Sequence, residues 1–279
     1  MNEKNKNLVL RIVSAVVLLP LVLWLLAMGG LPTVILIAAA SAIVTGEIYS
    51  IVGLRLGHPA AVAGMLAAAS FAWFAADLPH RWGGALAVAA LVPLLAVALL
   101  TLLPPDKDLR KAAPLAAFAG MAPAYAGLTL SAVVAMRNFP DGAAAAWILV
   151  ALVVTWGNDT GAYFAGRFLG RHKLYPMVSP AKTWEGFAGG MLASIVGCFV
   201  IRWALWPSLT PIDCLVVGGV AGVLGPLGDL SESMLKRAFG VKDSGKIMPG
   251  HGGLFDRVDA LLFNAPWVFA YACLVHDLV

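Results

Sequence analysis

The chain has 279 residues, of which 61% are hydrophobic and 12% are charged. A soluble domain carries about 25% charged residues, and a soluble core could not hide this much apolar surface. The composition therefore excludes an ordinary soluble enzyme and predicts a polytopic membrane protein, because a bilayer accepts apolar side chains. The net charge of +4 is modest, so the placement of the charges carries more information than their sum.

A helix crosses the bilayer with about 20 mostly apolar residues. Several segments meet this requirement and none resembles a soluble domain, so the sequence predicts an all-α fold. We expect one membrane domain over 1–279, in which 1–140 supply N-terminal spans and 141–279 supply further spans and the loops with the active site. The nine predicted spans are 8–27, 32–52, 60–77, 83–103, 113–134, 143–165, 186–206, 211–228 and 259–277.

The Lys and Arg residues indicate the orientation, because cytoplasmic loops are enriched in them. With nine spans and the N-terminus inside, 16 of the 19 Lys and Arg residues fall on the cytoplasmic side. Arg81, Arg137 and Arg202 fall outside. The sequence therefore predicts a cytoplasmic N-terminus and an external C-terminus. Two cytoplasmic connections, 157–186 and 229–259, are long and rich in charged, Gly and Pro residues, which is typical of functional loops.

The first long connection begins with Asn158 and Asp159, which lie inside the sixth span or at its lip. A carboxylate this close to the apolar slab usually has a functional partner, although an ion pair with Arg167 or Lys173 would also account for it. Gly157 and Gly161 offer a small face for close helix packing, which is compatible with either interpretation.

The same connection ends at the predicted start of the seventh span. Pro180 breaks the chain there, and Ser179 and Thr183 are candidate helix caps. The positive end of this helix and the Lys182 ammonium group would together suit an anionic group such as a phosphate. The alternative is that Lys182 is only an anchor at the cytoplasmic interface.

In the second connection, Asp256 and Asp259 are expected on the first turn of the ninth span, where residues three apart share a face. Two carboxylates on one face repel each other unless a cation lies between them, and oxygen ligands of this kind suit Mg²⁺. The alternative is that both are acidic residues that favour the start of a helix.

Two other parts of this connection can be interpreted in two ways. Asp229 is either a functional carboxylate or the cap of a short helix, with Glu232 completing a capping box. Lys236 and Arg237 contact phosphates or anchor the chain at lipid headgroups.

The glycine-rich segment 249–253 precedes the ninth span. Glycines let backbone N–H groups converge on an anion, although Pro and Gly also simply mark turns. His251 would bind phosphate, donate a proton or brace the loop. Lys242 and Asp243 carry the same ambiguity as the other charges of this connection.

These residues resemble the signature of the phosphatidate cytidylyltransferases, the CDP-diacylglycerol synthases. Over 27 positions, it runs from a Ser and a Lys-Arg pair through Lys-Asp and Pro-Gly-His-Gly-Gly to Asp-Arg-x-Asp. The Asp-Thr-Gly-Ala-Tyr and Ser-Pro-x-Lys-Thr-x-Glu-Gly segments of the first connection are also similar to this family. The signature is carried by Ser233, Lys236, Arg237, Lys242, Asp243, Gly245, Pro249, Gly250, His251, Gly252, Gly253, Asp256, Arg257 and Asp259.

The resemblance implies that CTP and phosphatidic acid react to CDP-diacylglycerol and pyrophosphate, with Mg²⁺ required and a second cation left open. We expect CTP and the phosphatidic acid of the bilayer as partners and no nucleic acid. A homodimer stays open. The expected location is the inner cell membrane, with the active site facing the cytoplasm.

The candidate site residues fall into three groups. The expected catalytic residues are Asp229, Lys236, Arg237, His251, Asp256 and Asp259. The expected substrate-binding residues are Asn158, Lys173, Ser179, Lys182, Glu185, Lys242, Asp243, Gly252, Gly253 and Arg257. The expected metal ligands are Asp256 and Asp259, and with them Asp229 and Asp159.

Two other functions compete with this one. A CTP-dependent polyprenol kinase would use similar phosphate and metal groups but would transfer the γ-phosphoryl group. A transporter of an anionic solute would concentrate charge near the midplane, whereas here the charges gather at one face. Glu47 in the second span either lines the cavity or extends to the interface near Arg55.

The charge distribution generates a test of topology. Reporter domains fused after Lys111, Lys173 and Lys246 should all report the cytoplasm, because these positions lie on the Lys- and Arg-rich side. A reporter that is external after Lys173 or Lys246 would contradict both the orientation and the location of the site.

Overall fold

The computed structural model describes residues 3–103, 109–140, 142–248, 252–276 and 278, with side chains from residue 16 onward except at 79 and 109–111. Over these residues the chain is almost entirely helical. The helices are α1 Glu3–Met28, α2 Gly30–Val52, α3 Pro59–Ala75, α4 Leu78–Leu102, α5 Leu109–Arg137, α6 Ala143–Leu169, α7 Trp184–Ala204, α8 Pro211–Ala238, α9 Phe255–Val258 and α10 Leu261–His276.

The helices have the length and composition of membrane spans. In the described part of the chain, six are long and apolar enough to cross a bilayer, and there are three shorter apolar helices. One of the six, over His80–Leu102, has only 17% of its apolar window buried within the protein. Lipid is the solvent that accepts such a surface. The predicted all-α, polytopic fold is therefore confirmed, while the number of spans and the orientation of the N-terminus stay predictions.

The described chain contains a β-hairpin that was not predicted. A two-stranded antiparallel hairpin, with β1 Lys173–Tyr175 and β2 Ser179–Thr183, precedes α7. Lys173 pairs with Thr183, and Tyr175 pairs with Ser179. The strands are too short to show a period-2 pattern in the sequence.

The expected caps of α7 divide into one that is confirmed and one that is wrong. The Thr183 hydroxyl accepts the N–H of Gly186 at 3.1 Å and caps the helix. Ser179 lies on β2, so the prediction that it caps this helix is wrong. Pro180 favours an extended chain at Ser179, which is compatible with the strand.

Two helices run past the predicted ends of their spans. α6 continues to Leu169, so of the two placements expected for Asn158 and Asp159, inside the helix is the one observed. α8 continues to Ala238, so Asp229 is not the cap of a separate short helix and the proposed capping box with Glu232 is wrong. The apolar pattern stops near Gly228, but the Glu232–Lys236 pair at spacing i, i+4 supports three further turns.

The predicted ninth span begins differently from our expectation. Asp256 lies on α9, which ends at Val258, while Asp259 lies in the turn before α10. The prediction that both aspartates share the first turn of one helix is therefore wrong. An i, i+3 spacing defines a common face only where the helix continues through both residues.

Contacts along the chain divide it into two compact units. The first contains 1–135 and 239–257, and the second contains 136–238 and 258–279. Val44, Ile48, Tyr49 and Phe71 are among the fully buried residues of the first unit, and the Tyr49 hydroxyl donates to the carbonyl of Ala119 at 2.8 Å. Trp147, Val150, Val154 and Val268 are buried in the second unit. The single membrane domain of the sequence analysis stays a prediction.

Small residues bring α6, α7 and α8 together in the second unit. A Cβ atom on Gly161 would lie 2.5 Å from the Ala193 side chain and 2.7 Å from the carbonyl oxygen of Gly189. A Cβ atom on Gly222 would lie 2.7 Å from the backbone of Met191. Such close approach of backbones is the way in which helices pack within a membrane.

This packing predicts that alanine destabilises the protein at one of two nearby glycines of α6 and has little effect at the other. Gly161→Ala should lower the melting temperature of the purified protein, because its Cβ meets a backbone carbonyl and overpacking costs about 1–3 kcal/mol. Gly157→Ala is the control, since its Cβ would meet Ala193 at an ordinary 3.5 Å. Equal melting temperatures for the two variants would contradict the close crossing of α6 and α7.

Candidate active site

Three carboxylates meet at the end of α8 in the second unit. Asp229 and Glu232 lie three residues apart on one face of α8, and Asp259 lies in the turn before α10. In the described part of the chain they form one group whose carboxylate oxygens all lie within 4.8 Å of one another. Gly228 lets the turn approach, because a Cβ there would lie 2.5 Å from the carbonyl oxygen of Asp259.

Two lysines neutralise part of this charge. The Nζ of Lys182 lies 2.8 Å from Oδ2 of Asp229 and donates to the carbonyl of Pro226 at 3.3 Å. The Nζ of Lys236 lies 3.0 Å from Oε2 of Glu232, and both of these side chains are buried. A buried charge is tolerated when it is paired in this way. The hairpin has a direct role here, since Lys182 reaches Asp229 from β2.

The pKa of Asp259 is shifted by its position in the cluster. Its Oδ1 accepts the N–H of Ala260 at 2.8 Å. Burial, together with the nearby Asp229 and Asp159 carboxylates, raises the pKa of Asp259 to about 7. A bound cation would favour the ionised form of this carboxylate.

The three carboxylates fit the metal that the sequence predicts. Their donor atoms are all hard oxygens, as Mg²⁺ requires, and Mg²⁺ is commonly bound by one or two carboxylates together with substrate phosphates. The excess of three carboxylates over two lysines leaves negative charge for a cation to offset. Asp229, Glu232 and Asp259 therefore suit an Mg²⁺ ion.

A cavity of about 440 Å³ lies beside Asp229 and Lys182. Asp159 borders the cavity, and Arg167 lies near its rim, where Nη1 donates to the Tyr163 hydroxyl at 2.8 Å. Polar and charged groups thus meet apolar ones such as Phe187 in the same space. The full lining is Asn158, Asp159, Ala162, Tyr163, Gly166, Arg167, Leu174, Ala181, Lys182, Thr183, Gly186, Phe187, Pro226 and Asp229.

Two expected substrate ligands make contacts within the protein. The amide nitrogen of Asn158 donates to the Ser194 hydroxyl at 3.3 Å and to the carbonyl of Gly222 at 3.2 Å, so it joins α6, α7 and α8. The carboxylate of Glu185 accepts the N–H groups of Arg171 and His172 and lies 2.6 Å from Nδ1 of His172. These contacts hold the hairpin against the start of α7.

The expected residues of the second connection fall mainly in the first unit. Oδ2 of Asp256 accepts the N–H and the hydroxyl of Ser244 at 3.0 and 2.9 Å, and the N–H of Gly253 at 2.9 Å. Gly252 has a φ of +82°, which favours glycine. His251 lies outside the described residues. The exposed members of the whole expected set are Asp159, Lys173, Arg237, Lys242, Asp243 and Arg257.

The glycine-rich segment was expected to gather N–H groups around an anion, whereas the described N–H groups at its end and just after it bond carboxylates of the protein. Gly253 donates to Asp256, while Leu254 and Phe255 donate to Glu47 at 2.9 and 2.7 Å. The backbone N–H groups therefore converge, as glycine permits, but they bond side-chain carboxylates of the protein.

The profile of the cytidylyltransferase family matches residues 9–275. The chain belongs to the cytidylyltransferase family. The match covers the helices of both units as well as the charged connections, so it is wider than the signature alone. The resemblance that the signature predicted is thereby confirmed.

Curated proteins similar to this family member carry one name. A phosphatidate cytidylyltransferase of Bacillus subtilis (strain 168) is 34% identical over 265 residues, which are 93% of this chain and 95% of the relative. Phosphatidate cytidylyltransferases of Staphylococcus haemolyticus and Staphylococcus epidermidis are 46% and 45% identical over 151 residues. This matched segment spans 54% of the chain and 56% of each of those two relatives, about half of their length.

In this member of the cytidylyltransferase family, sequence reasoning considered Glu232 only as part of a capping box and did not predict the hydrogen-bond partners of Glu47. Glu232 was visible as a second carboxylate three residues after Asp229, but the capping box offered another explanation for that spacing. Glu47 was visible only as an isolated acid in an apolar span. Its partners lie about 200 residues farther along the chain, which no local pattern can indicate.

The carboxylate cluster predicts a stability change whose sign depends on Mg²⁺. With a chelator present, Asp259→Asn should raise the melting temperature by about 2–4 °C, the effect of roughly 1 kcal/mol in a chain of this size. The raised pKa means that metal-free wild type loses stability as the pH rises from 3.8 to about 7, since the folded protein holds a proton that the unfolded chain releases. The variant should lack this pH dependence.

With Mg²⁺ added, the order should reverse, because the wild type gains the free energy of metal binding and the variant gains less. Asp77→Asn removes a partly exposed carboxylate of the first unit and leaves the cluster intact, so this control should respond to Mg²⁺ as the wild type does. Wild type and Asp259→Asn that respond equally to chelator and to Mg²⁺ would exclude the cluster as a metal site.

Proposed function

We propose that this chain transfers the cytidylyl group of CTP to phosphatidic acid, giving CDP-diacylglycerol and pyrophosphate at the cytoplasmic face of the inner membrane. The observation that carries the proposal is the cluster of three carboxylates and two lysines at the end of α8 in a chain of this family. The names of the relatives from Bacillus and Staphylococcus, over 95% and 56% of their lengths, support the choice of substrates.

The reaction suits this inventory of residues. An oxygen of the phosphatidate phosphate attacks the α-phosphorus of CTP, the α–β P–O bond breaks, and pyrophosphate leaves with that bridging oxygen. The attacking phosphate monoester has a second pKa near 6 and is largely a dianion at neutral pH, so no strong general base is needed. The barrier comes from the repulsion between the two anions, and positioned cations lower it.

The residues of the chain would divide this work. Asp229, Glu232 and Asp259 would hold the Mg²⁺ ion, and the resemblance adds Asp256 and Asp159 as further candidates. Mg²⁺ supplies charge neutralisation and orientation of phosphate oxygens when it is bound. Lys182 would exchange part of its contact with Asp229 for a substrate phosphate, since it borders the cavity.

Labelled CTP separates this function from its alternatives. Purified full-length protein in lipid, given phosphatidic acid, Mg²⁺ and CTP, should move α-phosphate label into lipid and release the β- and γ-phosphates as pyrophosphate. Lipid labelled only from γ-labelled CTP would contradict the proposal and indicate a kinase. Movement of an anionic solute across sealed vesicles without CTP turnover would contradict it and indicate a transporter. Light scattering of the same preparation would show whether the protein is a homodimer.

Two substitutions test the assignment of charges. Lys182→Ala and Asp229→Asn should each lower kcat/KM at least about tenfold in folded protein, because a hydrogen bond to a charged group is worth about 1.5–3 kcal/mol. Arg81→Ala is the matched control: it removes a cation that contacts Trp73 at the predicted external side. Near-normal kinetics for both site variants would make the Lys182–Asp229 pair structural.

A further inference from the structure

Glu47 is a buried acid near the C-terminal end of an apolar helix. It lies on α2 in the first unit, and the residue is 8% exposed. Burying a carboxylate is unfavourable unless hydrogen bonds or an opposite charge compensate for the lost water. The compensation that α2 itself offers is small, because the N–H groups in the middle of a helix already bond within it. The position therefore demands partners from elsewhere in the unit.

The partners come from the family signature. Oε1 of Glu47 accepts the N–H of Leu254 at 2.9 Å, and Oε2 accepts the N–H of Phe255 at 2.7 Å. The Ser244 hydroxyl lies 3.1 Å from Oε2. A carboxylate that accepts two backbone N–H groups is well compensated, and each of those N–H groups loses its freedom to turn elsewhere. Glu47 thus fixes the backbone where α9 begins.

Two glycines of the signature are explained by the same carboxylate. A Cβ atom on Gly245 would lie 2.5 Å from Oε1 of Glu47, and one on Gly253 would lie 2.6 Å from Oε2. Real Cβ atoms do not approach an oxygen so closely. Any larger residue at either position would push the loop away from Glu47, so the glycines and the acid are complementary in shape.

Ser244 connects Glu47 to Asp256. Its hydroxyl lies within hydrogen-bond distance of Oε2 of Glu47 and also of Oδ2 of Asp256, and its backbone N–H donates to Asp256. Phe255 is buried, and its ring packs edge-on against Tyr125 with 6.1 Å between the ring centroids. This packing holds Phe255 in place between its contact with Glu47 and the neighbouring Asp256. The loop therefore has one anchor on α2 and one within itself.

We propose that Glu47 is a positioning residue for the transfer reaction, which holds the loop of Ser244 and 252–256 so that Asp256 keeps a fixed orientation. It acts through backbone N–H groups and not through contact with the substrate. The effect on catalysis rests on the proposed function, whereas the hydrogen bonds to the loop do not. The substituted protein can therefore be tested in two independent ways.

The first arm measures the loop directly by hydrogen exchange of full-length protein in lipid nanodiscs. In Glu47→Gln, peptides that contain the Leu254 and Phe255 amides should exchange faster than in wild type, because one carboxylate oxygen is replaced by an NH₂ group that cannot accept. Thr45→Val is the matched control: Thr45 is buried on the same helix, and its hydroxyl bonds only the carbonyl of Ser41 among the contacts described. It should leave loop exchange unchanged.

The second arm measures turnover. Glu47→Gln should lower kcat about 10- to 100-fold, the effect of a small misplacement of a reacting group, while KM for CTP changes much less. Glu47→Asp keeps the charge and both acceptor oxygens on a shorter side chain, so its kcat should lie between those of wild type and Glu47→Gln. Thr45→Val should turn over like wild type.

The two arms separate the two ideas. If wild type shows no cytidylyl transfer but Glu47→Gln still loosens the loop, the proposed function fails and the anchoring of the loop stands. Unchanged exchange of the loop amides in Glu47→Gln would overturn the positioning role. So would a kcat of Glu47→Asp no higher than that of Glu47→Gln, or an altered Mg²⁺ requirement with normal kcat, which would make Glu47 a metal ligand. If Glu47→Gln does not fold, Glu47→Asp against wild type decides the exchange arm.

Discussion

The ion pair between Lys182 and Asp229 is the interaction that joins the hairpin to the candidate site of the second unit. The lysine lies on β2 and the aspartate lies on α8, so a bond of 2.8 Å ties the hairpin to the charged end of that helix. The same pair borders the cavity and the carboxylate cluster. The two side chains are partly exposed, at 20% and 36%, so the pair ties the hairpin to α8 while it still borders the cavity.

Close helix packing makes this arrangement of charges sterically feasible. Gly161 and Gly222 let α6 and α8 approach α7, and Gly228 lets the turn with Asp259 lie against α8. Asn158 then bonds across the narrow gap to α7 and α8. With a larger residue at Gly228, the turn with Asp259 could not lie so close to α8, which carries Asp229 and Glu232. The small residues are thus part of the site although they carry no chemical group.

The sequence predicted the helices well and their ends poorly, for physical reasons. Hydropathy detects what lipid accepts, so it located the apolar parts of α6 and α8 but stopped at Ala165 and Gly228, before the charged turns that continue each helix. The hairpin was missed because three- and five-residue strands have no readable period. Asp229, Asp259 and Lys182 were predicted from charge near the membrane, whereas the buried bonds of Glu47 depend on contacts distant in sequence.

The glycine-rich signature shows why a motif does not fix the partner of its backbone. Glycines there do allow N–H groups to converge, but in the described part those of Gly253, Leu254 and Phe255 already bond Asp256 and Glu47. An N–H group with a carboxylate acceptor offers little to a phosphate, because the new bond must replace one of similar strength. In the proposed reaction, charged side chains would contact the substrate phosphates, because an ammonium group can contact a carboxylate and an incoming anion together. Lys182 is placed for this, since it extends from a strand to the cavity rather than lying inside a helix.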